Sequence, residues 1–386
     1  MTGAYFFRSP TPILEGAGVA AQVGEHAKAL KVARALLVTD PGVARTPHLA
    51  TVTASLSAAG VPWDVFDRVE PDPSTTLVEA SAAEVRTGGY DLFVALGGGS
   101  SIDAAKGLRL LCQFGGVLRD YAPGDRVPGP PAFPLIAIST TAGTGSQVSF
   151  GAVFSDLQRG TKFAVSSPKI APTLALNDPL VTMGAPVSVT ANAGMDALGH
   201  AVESFLSLRA NPYADALNLQ AVRSVARNLP RVIQNGDDLE AREAMLTAST
   251  MATLAGSNTG LGADHAVAMP LCAMFHLPHG LVIGMLLGYV MEYNLEARTD
   301  RLAGLAGALG VDVTGKSARE AAEAAVAVVK GLSRTVGQAQ RLRDVGVREG
   351  QLERIAALTM ESFQVANNPR RMSAESVAEM LRKAYE

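Results

Sequence analysis

Four short β-like runs, ALLVT (Ala35–Thr39), WDVF (Trp63–Phe66), LFVAL (Leu92–Leu96) and LIAIS (Leu135–Ser139), limit what the first half of this chain can become. They read as strands buried on both faces, and such strands need a sheet covered on each side. Amphipathic stretches, His48–Ala59 and Thr76–Arg86 among them, lie between the runs. Strand, helix, strand in that rhythm predicts a parallel sheet. After about Pro186 the apolar spacing changes to periods near 3.6. Asn211-Pro212 offers an N-cap and a first-turn proline ahead of a helix over Tyr213–Leu229. Ser317 and Glu320 form a capping-box pattern before Ala321–Leu332, and Ser373 stands as cap of a final helix, Ala374–Ala384. The expectation is α/β: a parallel-sheet domain over residues 1–186, then an all-helical domain over 187–386.

A chain of 386 residues exceeds one ordinary core, which agrees with two domains. Its hydrophobic share of 48% supports a large interior, and a net charge of −3 argues against nucleic acid or an anionic membrane as main partner. Cys112 and Cys272 both sit in apolar runs, so neither a disulfide framework nor a cysteine metal site is expected. That fits a reducing, cytoplasmic setting. The start, MTGAYFFRSPTPILEG, lacks a basic segment followed by an apolar one, and no signal peptide is read there. Leu281–Met291 is uncharged and apolar but too short to span a bilayer, so it reads as a buried helix.

Two turns follow buried strands. In LFVALGGGSSIDAAKG, the strand ends at Gly97-Gly98-Gly99-Ser100 and a helix opens near Ser101. Backbone N–H groups there can approach a ligand closely, and the helix N-terminus favours negative charge, as a pyrophosphate requires. The second turn, STTAGTGSQVS (Ser139–Ser149), adds hydroxyls able to bond phosphate or amide groups. Together they suggest a dinucleotide across the strand ends. Asp40, closing ALLVTD, could accept bonds from a ribose hydroxyl and would repel a 2′-phosphate, favouring NAD over NADP; a turn-forming Asp before Pro41-Gly42 is the competing reading. Gly16-Ala17-Gly18-Val19-Ala20-Ala21 matches G-x-G-x-x-A, but no convincing buried strand precedes it, so it reads as a helix entry.

Of the six histidines, three (His265, His276 and His279) fall within fifteen residues of an apolar segment. A fourth, His200, lies four residues after Asp196 in MDALGHAVE, a helical spacing that stacks the two side chains. Alone, that pair could be a solvated acid beside a satisfied histidine. Asp196, His200, His265 and His279 would form a three-nitrogen, one-carboxylate set suited to Fe(II) or Zn(II), with a position open to a substrate oxygen.

The segments GGGSSIDAAK (Gly97–Lys106), TTAGTGSQ (Thr140–Gln147), GMDALGHAVE (Gly194–Glu203) and HAVAMPLCAMFHLPHG (His265–Gly280) resemble those of the iron-containing, or group III, alcohol dehydrogenases. The resemblance runs in order over nearly the whole chain and implies a dehydroquinate-synthase-like fold. It implies metal ligation by Asp196, His200, His265 and His279. It also implies cofactor contacts by Asp40, Gly97, Gly98, Gly99, Ser100, Ser101, Asp103, Thr140, Thr141, Thr144 and Lys162. The implied activity is metal-assisted hydride transfer between NAD(H) and an alcohol, aldehyde or ketone. The active site is expected between the two domains, and a homo-oligomer such as a dimer is implied.

Departures accompany the likeness. Met269 stands where the family often has a histidine near the nicotinamide, a candidate relay for the alcohol proton. Gln147 replaces a frequent glutamate. Gly256 replaces a frequent aromatic side chain that faces substrate. His276, between the ligand positions, could line the pocket and take over the relay, or cap a turn. The competing functions are a maleylacetate-reductase-like enzyme, a dehydroquinate-synthase-type cyclase, and a cofactor-binding paralogue with impaired catalysis. Four retained ligand types argue against the first in a metal-free form, and the lack of a basic cluster beside the histidines argues against the second. Met269 sustains the third.

Overall fold

The computed structural model describes residues 4–122 and 125–386. The chain forms two compact units, one spanning Ser9–Met183 and the other combining Gly184–Glu386 with the residues up to Arg8.

In the first unit the elements run β1 (Ile13–Glu15), α1 (Val23–Ala29), β2 (Ala35–Val38), α2 (Pro47–Ala58), β3 (Trp63–Phe66), α3 (Thr75–Thr87), β4 (Leu92–Gly97) and α4 (Gly99–Phe114). The strands β5 (Leu135–Ser139), β6 (Gly151–Asp156), β7 (Thr161–Ser166) and β8 (Leu174–Asn177) complete it. Six strands make a parallel sheet in the order β1-β8-β5-β4-β2-β3, and β6 and β7 form an antiparallel hairpin. Alternate residues of one strand enter opposite cores. Leu36, Val38, Phe93 and Ala95 join Ile102 and Leu108 on one face, while Leu37, Val94, Leu96 and Ile138 join Val52 and Leu56 on the other. That double burial is why these strands carry no polar alternation.

A strand, β1, does precede Gly16, pairing with β8 at the sheet edge. It is three residues long and only partly buried, so it lacks the apolar run that marks an inner strand. The turn's amides are already occupied: Gly18 N–H and Ala20 N–H each donate to the Asp178 carboxylate at 3.0 Å. The anion at this helix entry belongs to the protein itself.

The second unit is helical: α5 (Val187–Leu206), α6 (Pro212–Gln234), α7 (Leu239–Thr259), α8 (Ala263–Phe275), α9 (His279–Asn294), α10 (Thr299–Ala308), α11 (Ala318–Thr335), α12 (Leu352–Thr359) and α13 (Ala374–Tyr385). The caps fall where the sequence puts them. Asn211 accepts from Ala214 N–H at the head of α6, Ser317 and Glu320 close a capping box on α11, and Ser373 accepts from Ser376 N–H on α13. Helix α5 packs against α6, α7, α8 and α9. Gly280 lets the start of α9 touch α5, since a Cβ there would stand 2.1 Å from the backbone oxygen of Asn192. Among the described residues no helix is long and apolar enough to cross a membrane.

Candidate functional site

Three helices of the second unit bring titratable groups to one point. Asp196 and His200 come from α5, His265 from the first turn of α8, and His279 opens α9. One ligand atom each from Asp196, His265 and His279 lies within 4.8 Å of the others. Around Asp196 Oδ1, His200 Nδ1 stands at 3.3 Å, His279 Nε2 at 3.5 Å and His265 Nε2 at 3.6 Å. His200 is outside the three-residue set but packs edge-on against His265, with ring centroids 4.5 Å apart. Its Nδ1–H donates to the backbone oxygen of Asp196 at 2.8 Å, which leaves Nε2 as the lone-pair nitrogen of the neutral ring. The Asp196 and His265 side chains are nearly inaccessible, whereas that of His279 is 30% exposed and forms the open side.

The cluster fits a divalent ion. Asp196 Oδ1 and His265 Nε2 are buried without a hydrogen-bond partner, an expensive arrangement for an oxygen and a nitrogen facing one another. A carboxylate with imidazoles suits Fe(II) or Zn(II). Burial works to raise the Asp196 carboxyl, but His200 first, then His265 and His279, hold it well below the usual carboxylate range. Burial likewise opposes charge on His265, yet the Asp196 and Glu203 carboxylates beside its ring push it up to about 10 in the metal-free chain.

Two acidic residues here escape sequence reasoning. Glu203, also on α5, accepts from His265 Nδ1–H at 2.6 Å. Asp264 is buried with neither carboxylate oxygen hydrogen-bonded, and burial followed by the nearby Glu203 charge raises its carboxyl well above the ordinary value. Glu203 had a signal: it lies seven residues after Asp196, on the same helix face. Asp264 had none beyond its place beside His265.

Met269 is half-buried one turn beyond His265 on α8. His276 is exposed and ends α8 in the left-handed conformation, with φ of 52°, so it caps the helix. No described contact ties it to the Asp196 cluster.

The glycine turn belongs to the first unit. Gly97 closes β4 where a Cβ would lie 2.4 Å from Ser101 Oγ and 3.2 Å from Asp40 Oδ2, and Ser101 donates to that oxygen. Asp40 Oδ1 accepts from Gly42 and Val43 N–H, so Asp40 makes the turn at the end of β2 as well as facing Gly97. Thr141 and Thr144 flank Gly98 and Gly99. Thr140 N–H donates to Gly97 O. Ser100 accepts from Asp72 N–H, and Asp72 pairs with Lys162 at 2.7 Å, which brings Lys162 toward the turn. Asp103 differs: its oxygens accept from Ser146 Oγ and Val153 N–H, and its role visible here is to fasten α4 to β6.

Glycine- and hydroxyl-rich turns on a parallel sheet, followed by a helical unit with a carboxylate–imidazole cluster, are the two parts that a metal-assisted, nucleotide-dependent oxidoreductase needs. The family model for iron-containing alcohol dehydrogenase matches residues 10–179, and that for the C-terminal part of the Fe-containing alcohol dehydrogenase family matches residues 190–385. The chain is 38% identical over 371 residues to a 1,3-propanediol dehydrogenase of Klebsiella pneumoniae, covering 94% of each. It is 35% identical to an NAD-dependent methanol dehydrogenase of Bacillus methanolicus, covering 98% of this chain and 99% of that one. Its fold superposes with a TM-score of 0.96 on an alcohol dehydrogenase from Oenococcus oeni at 33% identity, covering 99% of this chain and 100% of the other. The chain belongs to the iron-containing alcohol dehydrogenase family and is an oxidoreductase of alcohols and their carbonyl products.

Proposed function

We propose that this protein is an NAD(H)-preferring alcohol dehydrogenase that holds one divalent ion, Fe(II) with Zn(II) as the second candidate, on Asp196, His200, His265 and His279. The observation that carries the reading is the pair of orphaned, buried atoms, Asp196 Oδ1 and His265 Nε2, inside the histidine cluster. The substrates would be small alcohols and the matching aldehydes or ketones, as the names of the propanediol and methanol relatives suggest.

When bound, the ion supplies Lewis acidity at a substrate oxygen and the nicotinamide supplies hydride exchange at carbon. One carboxylate and three neutral imidazoles offset only one of the two positive charges, so this donor set preserves acidity. The exposed edge of His279 leaves that side accessible to substrate. Gly97, Gly98, Gly99, Ser100 and Ser101 would cradle the pyrophosphate at the start of α4, with Thr140, Thr141, Thr144 and Lys162 around it. Asp40 would bond the ribose and disfavour a 2′-phosphate. Met269 offers no proton acceptor, so the alcohol proton would leave through water, the ribose hydroxyl or His276.

A screen of small alcohols and carbonyls following NADH absorbance, on protein loaded separately with Fe(II) and Zn(II), tests this. Turnover is expected with NAD(H) above NADP(H). Stoichiometric binding of NAD and metal without turnover across the panel would leave the impaired paralogue, which Met269 favours, as the better reading. A homo-oligomer belongs to the same proposal: Tyr5, Phe6 and Tyr213 are exposed aromatics, two of them in edge contact, and light scattering reads the assembly state.

A further inference from the structure

We infer that Glu203 is a positioning residue: one carboxylate fixes His265 in the tautomer that presents Nε2 to the site and simultaneously closes the N-terminus of the helix carrying it. This rests on the reading of Asp196, His200, His265 and His279 as metal ligands.

Glu203 is 3% exposed on α5. Its Oε1 accepts from Asp264 N–H at 2.6 Å; its Oε2 accepts from His265 N–H at 3.3 Å and from His265 Nδ1–H at 2.6 Å. All three partners are donors. Two are amides of the first turn of α8, which have no partner within the helix and favour a negative charge. Only an acceptor-only group satisfies all three, and a carboxylate is such a group. With the Nδ1 proton committed to Glu203, Nε2, the atom 3.6 Å from Asp196 Oδ1, is the nitrogen left to give up its proton and present a lone pair when an ion binds. His200 is oriented from within its own helix, and His279 Nδ1 faces Cys272 Sγ at 3.9 Å. His265 is thus anchored from another ligand-bearing helix by a side chain that accepts through both oxygens. The carboxylate also sets the register of α5 against α8 through protein atoms alone.

Glutamine at 203 keeps the shape and breaks the donor count. If its oxygen faces His265 Nδ1–H, its NH₂ opposes Asp264 N–H; if it flips, the NH₂ faces His265, favouring the tautomer with the proton on Nε2. Each arrangement loses a buried bond.

Apo protein prepared by chelator dialysis is titrated with Zn(II) against a chromogenic chelator, for wild type, Glu203→Gln and His265→Ala. Nitrogen-15 histidine ring spectra are recorded with and without Zn(II), His265→Ala supplying the assignment. Wild type should bind one ion per chain and show a strongly downfield His265 Nδ1 proton. Glu203→Gln should bind 10- to 100-fold more weakly and lose or shift that resonance. Equal affinity with an unchanged Nδ1 resonance overturns the inference. A wild-type spectrum without the downfield proton overturns it even should Glu203→Gln fail to fold. A wild type that binds no zinc refutes the metal reading instead, and the ring spectra of the apo proteins still decide whether Glu203 holds His265.

Discussion

Alanine at Gly280 sets two known effects against each other. In a helix, Gly→Ala is ordinarily favourable by up to about 1 kcal/mol, and by less in the first turn, where Gly280 sits. Here a new Cβ would lie 2.1 Å from the Asn192 backbone oxygen and 2.6 Å from its carbonyl carbon, more than 1 Å short of ordinary contact. Both atoms belong to the α5 backbone, so no side chain can swing aside. Relief requires the head of α9 to move away from α5. Overpacking of this kind costs about 1–3 kcal/mol, which outweighs the propensity gain. For a unit of this size the net loss should lower Tm by on the order of 5 °C. The movement also carries His279, the adjacent residue, away from Asp196, 3.5 Å from it now. Metal affinity should therefore fall more than tenfold, beyond what a mild stability loss explains. The control is Gly307→Ala on α10, where a Cβ meets nothing within 4 Å and stability should hold or rise slightly. Differential scanning fluorimetry and metal analysis read both variants. Gly280→Ala with wild-type Tm and metal content, or Gly307→Ala losing as much as Gly280→Ala, would refute the reasoning.

His265→Ala and His279→Ala should each lose most bound metal after dialysis; undiminished content in both would show that the ligands lie elsewhere. Asp40→Asn keeps an acceptor for Gly42 and Val43 N–H while removing the charge, so discrimination against NADP should drop by about five- to tenfold, and an unchanged kinetic ratio counts against Asp40 as the selector. Burial pushes the Cys112 thiol up to about 11, leaving a thiolate fraction of about 10⁻³ at pH 8. Alkylation there should be slow in the folded protein, accelerate about tenfold per pH unit and become rapid on unfolding; fast labelling of native protein at pH 8 would contradict the burial. Met269→His should alter the pH profile of turnover, since it adds a titrating group one turn from His265; an identical profile would show that position 269 lies outside the proton path.

The inner sheet was legible because β2, β4 and β5 are buried on both faces and advertise it as unbroken apolar runs. The helix caps were legible because capping is local: Ser317 and Glu320 answer each other three residues apart. What escaped was decided at long range. Strand β1 is three residues at an edge, ordered by pairing with β8 some 160 positions later. The hairpin of β6 and β7 went unread, because only four of its twelve residues are buried and no two of those are adjacent in sequence. In the cluster around Asp196, the members Asp196, His200, His265 and His279 stood out by residue type and resemblance. Glu203 did not, because a lone acid on an alanine-rich helix is usually solvated, and its partners arrive from α8, 61 and 62 residues along the chain.

Helix α5 acts as a ruler. Asp196, His200 and Glu203 share one helix with no break between them, so their separation is set by rise and rotation alone. Each added or deleted residue turns everything downstream by about 100° and shifts it by about 1.5 Å. A single-codon insertion between Asp196 and Glu203 would therefore swing the carboxylate away from α8 even if every functional side chain were retained. The stretch between α10 and α11, whose exposed residues 312–317 carry no member of either cluster, would absorb the same insertion with little consequence. Variation in length along this protein should accordingly be silent at such connections and intolerable across eight residues of one helix, where spacing matters as much as chemical identity.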